Sequence, residues 1–388
     1  MTTDVVVIGA GAAGCATALS LRRRGLNCVV VDKSSGLARR FCGEFVSGEA
    51  RAFLEDLDAL EEFDRQGPSV VSSMGLYGAR GGRFEMDIAR GGFGISRRAL
   101  DGTLLDLAAE RGASLLRGAA ISGIERVDDG FTVSLQGASR QIHSRAVIGA
   151  HGRRANIDRL LGRPFIEHDS RYIGVKCHFT GVDCRRDVRL FLFPGGHCGL
   201  VAVEDRLATM AMLATRVALR NAGGRGEDLI QFARRSNGFL DDALRDASVV
   251  PESMLSIGQI PFRLKEQVAG GVYFVGDAAG TTAPFLGLGV TNALRSGIAC
   301  SGFVADSLAG TISSHEAKSA YGKWWRRNMR STQLASFAIS AALCESQLAE
   351  ATLQFANAFP SAARAIYGHT RASAIRSGHG KDPFLSKA

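Results

Sequence analysis

Three glycines near the start of the chain sit where a phosphate could be held. Gly9, Gly11 and Gly14, in Gly9-Ala10-Gly11-Ala12-Ala13-Gly14, follow the apolar run Val5-Val6-Val7-Ile8 and open a helix-forming stretch. The first glycine permits a tight turn, the second lets the backbone approach a pyrophosphate, and the third lets the helix lie close on the strand. A helix starting at Ala12 and Ala13 turns unpaired N–H groups and its positive dipole end toward the phosphates. Asp32 closes the next strand, Cys28 to Val31, at the spacing of an acid that accepts hydrogen bonds from ribose hydroxyls. An aspartate there prefers an unphosphorylated ribose, so the nucleotide is FAD or NAD rather than NADP. A turn of the same composition with no ligand is the bland alternative; strand, helix and acid all being in register argues against it.

The second constellation lies far along the chain. Gly271-Val272-Tyr273-Phe274-Val275 reads as a buried strand leading into Gly276-Asp277-Ala278-Ala279-Gly280, followed by Pro284-Phe285-Leu286-Gly287-Leu288-Gly289 and a helix from about Thr291. An aspartate at the end of such a strand suits a ribityl and phosphate region. The glycine loop lets a flavin ring lie against backbone, and the helix N-terminus stabilises negative charge on the reduced ring. The pair of patches therefore points to FAD. The expected cofactor contacts are Gly9, Gly11, Ala12, Ala13, Gly14, Asp32, Arg40, Arg97, Ile121, Gly276, Asp277, Gly280, Pro284, Gly287, Leu288 and Gly289.

With these motifs, residues 1 to 300 resemble the FAD-dependent monooxygenase superfamily built on the para-hydroxybenzoate hydroxylase fold. The form of the second motif is most similar to the branch of geranylgeranyl reductases and flavin-dependent halogenases. Phe41-Cys42-Gly43-Glu44-Phe45-Val46-Ser47 resembles that branch's C-G-E/G loop. Arg97, with Leu100-Asp101, matches the R-x-x-L-D helix start, and the resemblance implies that this arginine lies near the flavin pyrophosphate. Where the family commonly has Asp-Gly after the strand ending near Gly149, this chain has His151-Gly152-Arg153-Arg154. That departure bears on how a nicotinamide is handled, not on FAD. The halogenase W-x-W-x-I-P segment is absent, the two tryptophans being the adjacent Trp324 and Trp325.

No catalytic residue stands out, because flavin carries the difficult chemistry and the protein supplies shape and polarity. His197, after Phe193-Pro194-Gly195-Gly196, reads as a turn residue able to reach the flavin, or as an ordinary turn histidine. Glu44 is either close to substrate or flavin, or a loop charge. Lys176 and His178 share one face of an alternating strand, Tyr172 to Phe179, and a solvated outer face is the favoured reading. His151 either anchors backbone or sits over the FAD. The leading expectation is a monooxygenase that hydroxylates or epoxidises an apolar aromatic or polyketide-like substrate, with NADH or NADPH as electron donor. The alternatives are a flavin-dependent reductase or dehydrogenase acting on a C–C bond, and a lipid carrier without redox chemistry; a carrier has no need of both Asp32 and Asp277.

The elements that must position these residues alternate. Strand, helix and strand come first, then an amphipathic helix over Ser96 to Arg111 with Leu100, Leu104, Leu107 and Ala108 at helical spacing. Strands follow at Ala120 to Ile124, Phe131 to Leu135 and Gln141 to Ile148, then a β-rich middle and a helical tail. The expected fold is α/β: a Rossmann-type FAD-binding domain (1–75, 96–162 and 260–310) interleaved with a mixed β-sheet substrate domain (76–95 and 163–259), plus a helical C-terminal segment (311–388). The β-rich middle is expected to cap the flavin ring.

The 388 residues carry a formal charge of +9, but the arginines come as scattered pairs with no basic stripe, which excludes nucleic acid as the partner. The eight cysteines form no C-x-x-C pair or metal spacing, so no metal is expected and reduced thiols in a cytoplasmic protein are. Lys323-Trp324-Trp325-Arg326-Arg327 has the aromatic and basic mixture of a membrane surface, against the alternative of a helix covering the active-site domain. Nothing in the sequence sets an oligomeric state.

Overall fold

A computed structural model describes residues 1–137, 141–183 and 186–377. Two sheets organise them. The first runs, edge to edge, Val268–Ala269, Val272–Phe274, Gln141–Gly149, Thr2–Ile8, Cys28–Asp32 and Ser114–Arg117; the hairpin Ile121–Val127 and Gly130–Leu135 extends it from Gln141–Gly149. Its central strands pair in parallel, Val5 opposite Cys28 on one side and Ala146 on the other. Parallel strands covered on both faces need apolar residues on both, and Val5, Val6 and Val7 are fully buried.

The second sheet runs Ser248–Val249, Tyr172–Thr180, Ala208–Thr215, Gly196–Ala202, Asp187–Phe193, Ser69–Tyr77, Arg83–Gly94 and Phe45–Ser47. It takes in Phe45–Ser47 and most of Ser69–Tyr77 from the 1–75 segment assigned to the cofactor unit. The long strands Ser69–Tyr77 and Arg83–Gly94 have no individual counterpart in the sequence reading, although Arg83–Gly94 falls in the 76–95 segment expected in the β-sheet domain. Glycines and charges break the alternation of Arg83–Gly94, and its partner shifts register between Val71 and Ser73. One face of the sheet, with Val175, Cys177, Phe179, Met210 and Met212, packs on the helices Arg216–Ala222, Gly226–Ser236 and Gly238–Ala243.

The opposite face corrects one expectation. Lys176 pairs with Ala211 and His178 with Thr209, so in this antiparallel sheet all four project to the same side. That side faces the first sheet's domain: Lys176 and Thr209 are buried. The alternation of the strand was legible, but the polar face is covered by Glu44 and not by solvent. His197 is also re-placed. It is the second residue of the strand Gly196–Ala202, opposite Leu192 and Leu213, and not part of the turn before it.

Four helices close the chain, Ser314–Asn328, Arg330–Leu343, Ser346–Ala358 and Pro360–Ser377. Trp324 and Trp325 are buried around Tyr321 and are not a surface patch. No helix among the described residues is long and apolar enough to cross a membrane. The seven cysteines described are free thiols; Cys184 lies outside the described residues.

Candidate cofactor and substrate site

The glycines of the first motif divide by what surrounds them. Gly9 has φ +114°, and a Cβ there would meet the Ala150 carbonyl oxygen at 2.4 Å; a Cβ on Gly14 would meet the Gly9 oxygen at 1.8 Å. Both are required by the turn and the helix packing. A Cβ on Gly11 would meet only the Arg40 guanidinium, at 3.2 Å. Gly11 is also the N-cap of the helix Ala12–Arg23, which has no side-chain cap and no acid in its first turn. The amides of Ala12 and Ala13 are thus left for an external anion.

Asp32 accepts the amides of Ala10 at 2.7 Å and Ser34 at 2.8 Å. Burial alone would raise its pKa, but these bonds and Arg40 outweigh it and hold the carboxyl below its ordinary range. Arg40 links Asp32, at 3.4 Å, to Asp101, at 2.9 Å. Arg97 grips the same Asp101 with both ends of its guanidinium. The arginine beside Gly11 is therefore Arg40, while Arg97 stands one carboxylate further back. Ile121 is buried at the start of its strand, beyond a loop whose Ala119 amide bonds the Asp32 carbonyl.

The second motif lies against the first. Gly276 has φ +56°, its amide donates to Ser296 Oγ at 2.9 Å, and a Cβ on it would touch Ala13 Cβ at 2.8 Å. The helix Gly289–Leu308 crosses the Ala12–Arg23 helix where Gly297 sits on Ala13 and Thr17. Asp277 keeps its carboxylate partly exposed, 3.3 Å from Arg153 Nε. Its carbonyl and that of Arg153 both accept from buried Lys265, whose ammonium burial pulls down to about 7. Gly280 packs under Gln333, and Pro284 begins a short 3-10 turn ending at Gly287, which has φ +65°. Leu288 caps the next helix with no side-chain hydrogen bond, no acid follows in the first turn, and a Cβ on Gly289 would meet nothing within 4 Å. Two uncapped helix ends, an open position at Gly289 and an acid at the ribose position fit the diphosphate, ring and ribose of FAD. His151 meets a side chain and not backbone: its Nε2 lies 3.0 Å from Asp158, which also holds Arg163.

Glu44 joins the two sheets. It is 1% exposed, has φ +57°, and its carboxylate meets Lys176 Nζ, Thr209 Oγ1, His178 Nε2 at 2.7 Å and the Arg97 amide at 2.7 Å. Burial opposes the charge, but His178, Lys176 and the amide prevail and bring the pKa down to about 2. It is neither a loop charge nor open to substrate.

Beside this cluster lies a small apolar pocket, with a cavity of about 60 Å³ behind an open mouth. The sheet supplies Met74, Val188, Leu190, His197, Gly199, Val201 and Ala211; the loops supply Gly43, Phe45 and Pro284 to Gly287; the last helix supplies Tyr367 and Arg371. No carboxylate among the described residues lines it. His197 is 3% exposed and desolvation drives its pKa down to about 4, so the imidazole is neutral near pH 7. The sequence reading missed Tyr367 and Arg371, because nothing local ties a C-terminal helix to the second glycine loop.

Comparison with known proteins matches residues 2–315 to the model of a family described as FAD binding domain. Digeranylgeranylglycerophospholipid reductase 1 of Methanococcoides burtonii is 27% identical over 344 residues, covering 83% of this chain and 79% of its own. Among solved structures, a geranylgeranyl bacteriochlorophyll reductase-like protein from Thermoplasma acidophilum superposes with TM-score 0.76 at 19% identity, covering 91% of this chain and 89% of that one. A probable FAD-dependent monooxygenase from Pseudomonas aeruginosa gives TM-score 0.73 at 19% identity, over 90% of this chain and 98% of its own. At these identities the structural likenesses establish the shared fold.

Proposed function

The chain belongs to the FAD-binding domain family and is an FAD-dependent oxidoreductase, and we propose that it reduces a carbon–carbon double bond in an apolar, isoprenoid-like substrate. The observation that carries this reading is the pocket beside the Pro284 to Gly287 loop: mostly hydrocarbon walls, a neutral histidine, Tyr367 and the Glu49-paired Arg371 on one side, and no carboxylate among the described lining residues. An alkene chain needs burial and orientation more than polar contacts. The similarity to a digeranylgeranylglycerophospholipid reductase supports the same class. Oxygen-dependent chemistry, the first expectation from the sequence, has the weaker support of a relative named as a pyrrole-carbonyl brominase, 23% identical over 340 residues, and of likeness of fold.

Bound FAD would supply a hydride to one carbon of the double bond while the other takes a proton originating from solvent, and would be re-reduced by a donor, for which we propose NADH or NADPH. The chain's own groups do the rest. The amides at Ala12 and Ala13 hold the diphosphate, and Asp32 takes the ribose hydroxyls. Asp277 meets the ribityl region, and the helix end at Gly289 favours negative charge on the ring. Glu44, Lys176 and His178 lock the Phe41 to Ser47 loop onto the sheet, so the pocket wall stays in register with the cofactor loops. Phe45, Leu190 and Phe285 exclude water from the reacting carbons.

The deciding experiment is anaerobic. Protein with reduced FAD is mixed with a geranylgeranyl-bearing lipid, and flavin reoxidation is followed alongside mass analysis of the lipid. Reoxidation without oxygen, with two hydrogens gained per double bond, is the expected result. Reoxidation only on admitting oxygen, with an oxygen atom in the product, establishes the monooxygenase reading in its place.

A further inference from the structure

Two polar atoms in the lining of the apolar pocket are left unused by the fold, His197 Nε2 on the sheet wall and Arg371 Nε on the last helix. Among the described residues His197 Nε2 is buried and has no hydrogen-bond partner. Its neighbours on the same face of the strand are Gly199 and Val201, and the ring of Phe285 meets the imidazole edge-on at 6.2 Å. Native structures pair nearly all buried polar atoms, because an unpaired one forfeits its hydration without return. Sites built to recognise a polar atom of a ligand are a recurring exception, since the partner arrives with the ligand. Gly199 leaves space beside the ring, where a Cβ would first meet Leu190 at 3.4 Å.

We infer that His197 Nε2 binds the single hydrogen-bonding oxygen of an otherwise apolar substrate, and so sets how far the chain runs along the pocket. This rests on the isoprenoid reading above and narrows it. The oxygen belongs to a neutral group such as a hydroxyl, ether or ester. A phosphate would require a free cationic charge; the one cation among the described lining residues, Arg371, is neutralised by Glu49 at 3.0 Å and gives its other terminal nitrogen to the Leu286 carbonyl at 2.8 Å, leaving only its Nε unpaired. A neutral imidazole serves either direction of bond, since Nε2 donates in one tautomer and accepts in the other. His197 is a specificity-determining residue in this account, not one that touches the reacting carbons.

The test titrates FAD-loaded protein with geranylgeraniol and with the corresponding hydrocarbon lacking the hydroxyl, reading binding from the flavin absorbance. One buried hydrogen bond corresponds to a preference of roughly ten-fold for the alcohol. His197→Phe keeps the hydrocarbon affinity and loses the preference, and His197→Gln, which restores a hydrogen-bonding group, recovers part of it. Should phenylalanine prevent folding, His197→Leu removes the same nitrogen with less bulk. Equal binding of the two compounds by the wild type, or a preference that survives loss of the imidazole, overturns the inference while leaving the reductase reading intact. Failure of both compounds to bind the wild type sinks the isoprenoid reading and this inference with it.

Discussion

At the scale of single residues, two buried titratable groups give the protein a two-step response to acid. His197 has an ordinary pKa near 6.5 when unfolded and about 4 when buried. The unfolded chain therefore binds the extra proton first, and stability falls as pH drops from 6.5 to 4. Glu44 goes from 4.5 down to about 2, so its contribution is complete above 4.5 and is lost as pH falls toward 2. Each span is worth about 3 kcal/mol. Denaturation across pH should show both segments, with His197→Phe making the upper one shallower and leaving the lower; part of the upper slope remains because burial also lowers the His151 pKa. Glu44→Gln should cost about 3–5 kcal/mol at neutral pH, since it strands the Lys176 ammonium without its carboxylate. Adding Lys176→Met to that variant should recover most of the loss. If the double variant is as unstable as the single one, the cluster is not held by that ion pair.

At the scale of elements, two uncapped helix ends are the proposed cofactor contacts, and the glycines before them separate binding from folding. Gly11→Val displaces only the flexible end of Arg40, so the apoprotein should fold with nearly unchanged stability. Its FAD affinity should drop at least roughly ten-fold for each amide that no longer reaches the diphosphate. Gly289→Val points into open space and should likewise fold, bind FAD more weakly and lower the flavin potential. Gly287 behaves differently. Its positive φ and the Phe45 ring, 2.4 Å from any Cβ, should make Gly287→Ala cost about 1–2 kcal/mol with or without FAD. A Gly287→Ala protein as stable as wild type, or a misfolded Gly11→Val, contradicts this division. The glycine spacing and Asp32 were readable in the sequence because strand, turn and helix encode them locally. Which glycine faces a ligand was not, since that depends on Arg40, Ala150 and Phe45, brought there from elsewhere. The side chosen by Lys176 and His178 was hidden for the same reason: alternation separates two faces but does not say what covers them.

Across the whole molecule, the C-terminal helices support the second cofactor loop. Gln333 Nε2 donates to the Thr281 carbonyl at 3.2 Å, and the Ala283 amide donates to Ser336 Oγ at 3.0 Å. From the last helix Arg371 reaches the Leu286 carbonyl and the buried Glu49 carboxylate. The helical tail was legible from its periodicity, and its task was not, because these bonds span up to 322 positions of sequence. Arg371 should accordingly act on stability and on the loop through separable bonds. Arg371→Met leaves Glu49 buried and unpaired, which should cost about 3–5 kcal/mol, and Glu49→Met in the same protein should restore most of it. Neither variant returns a donor to the Leu286 carbonyl. In FAD-free protein, amide exchange around Gly287 and Gly289 should therefore stay faster than wild type, by roughly 5- to 10-fold, in the stabilised double variant as well. FAD affinity should remain lowered with it, since the loop must then be ordered at the moment of binding. Wild-type exchange and wild-type FAD affinity in the double variant would mean that the last helix covers the pocket without holding the loop.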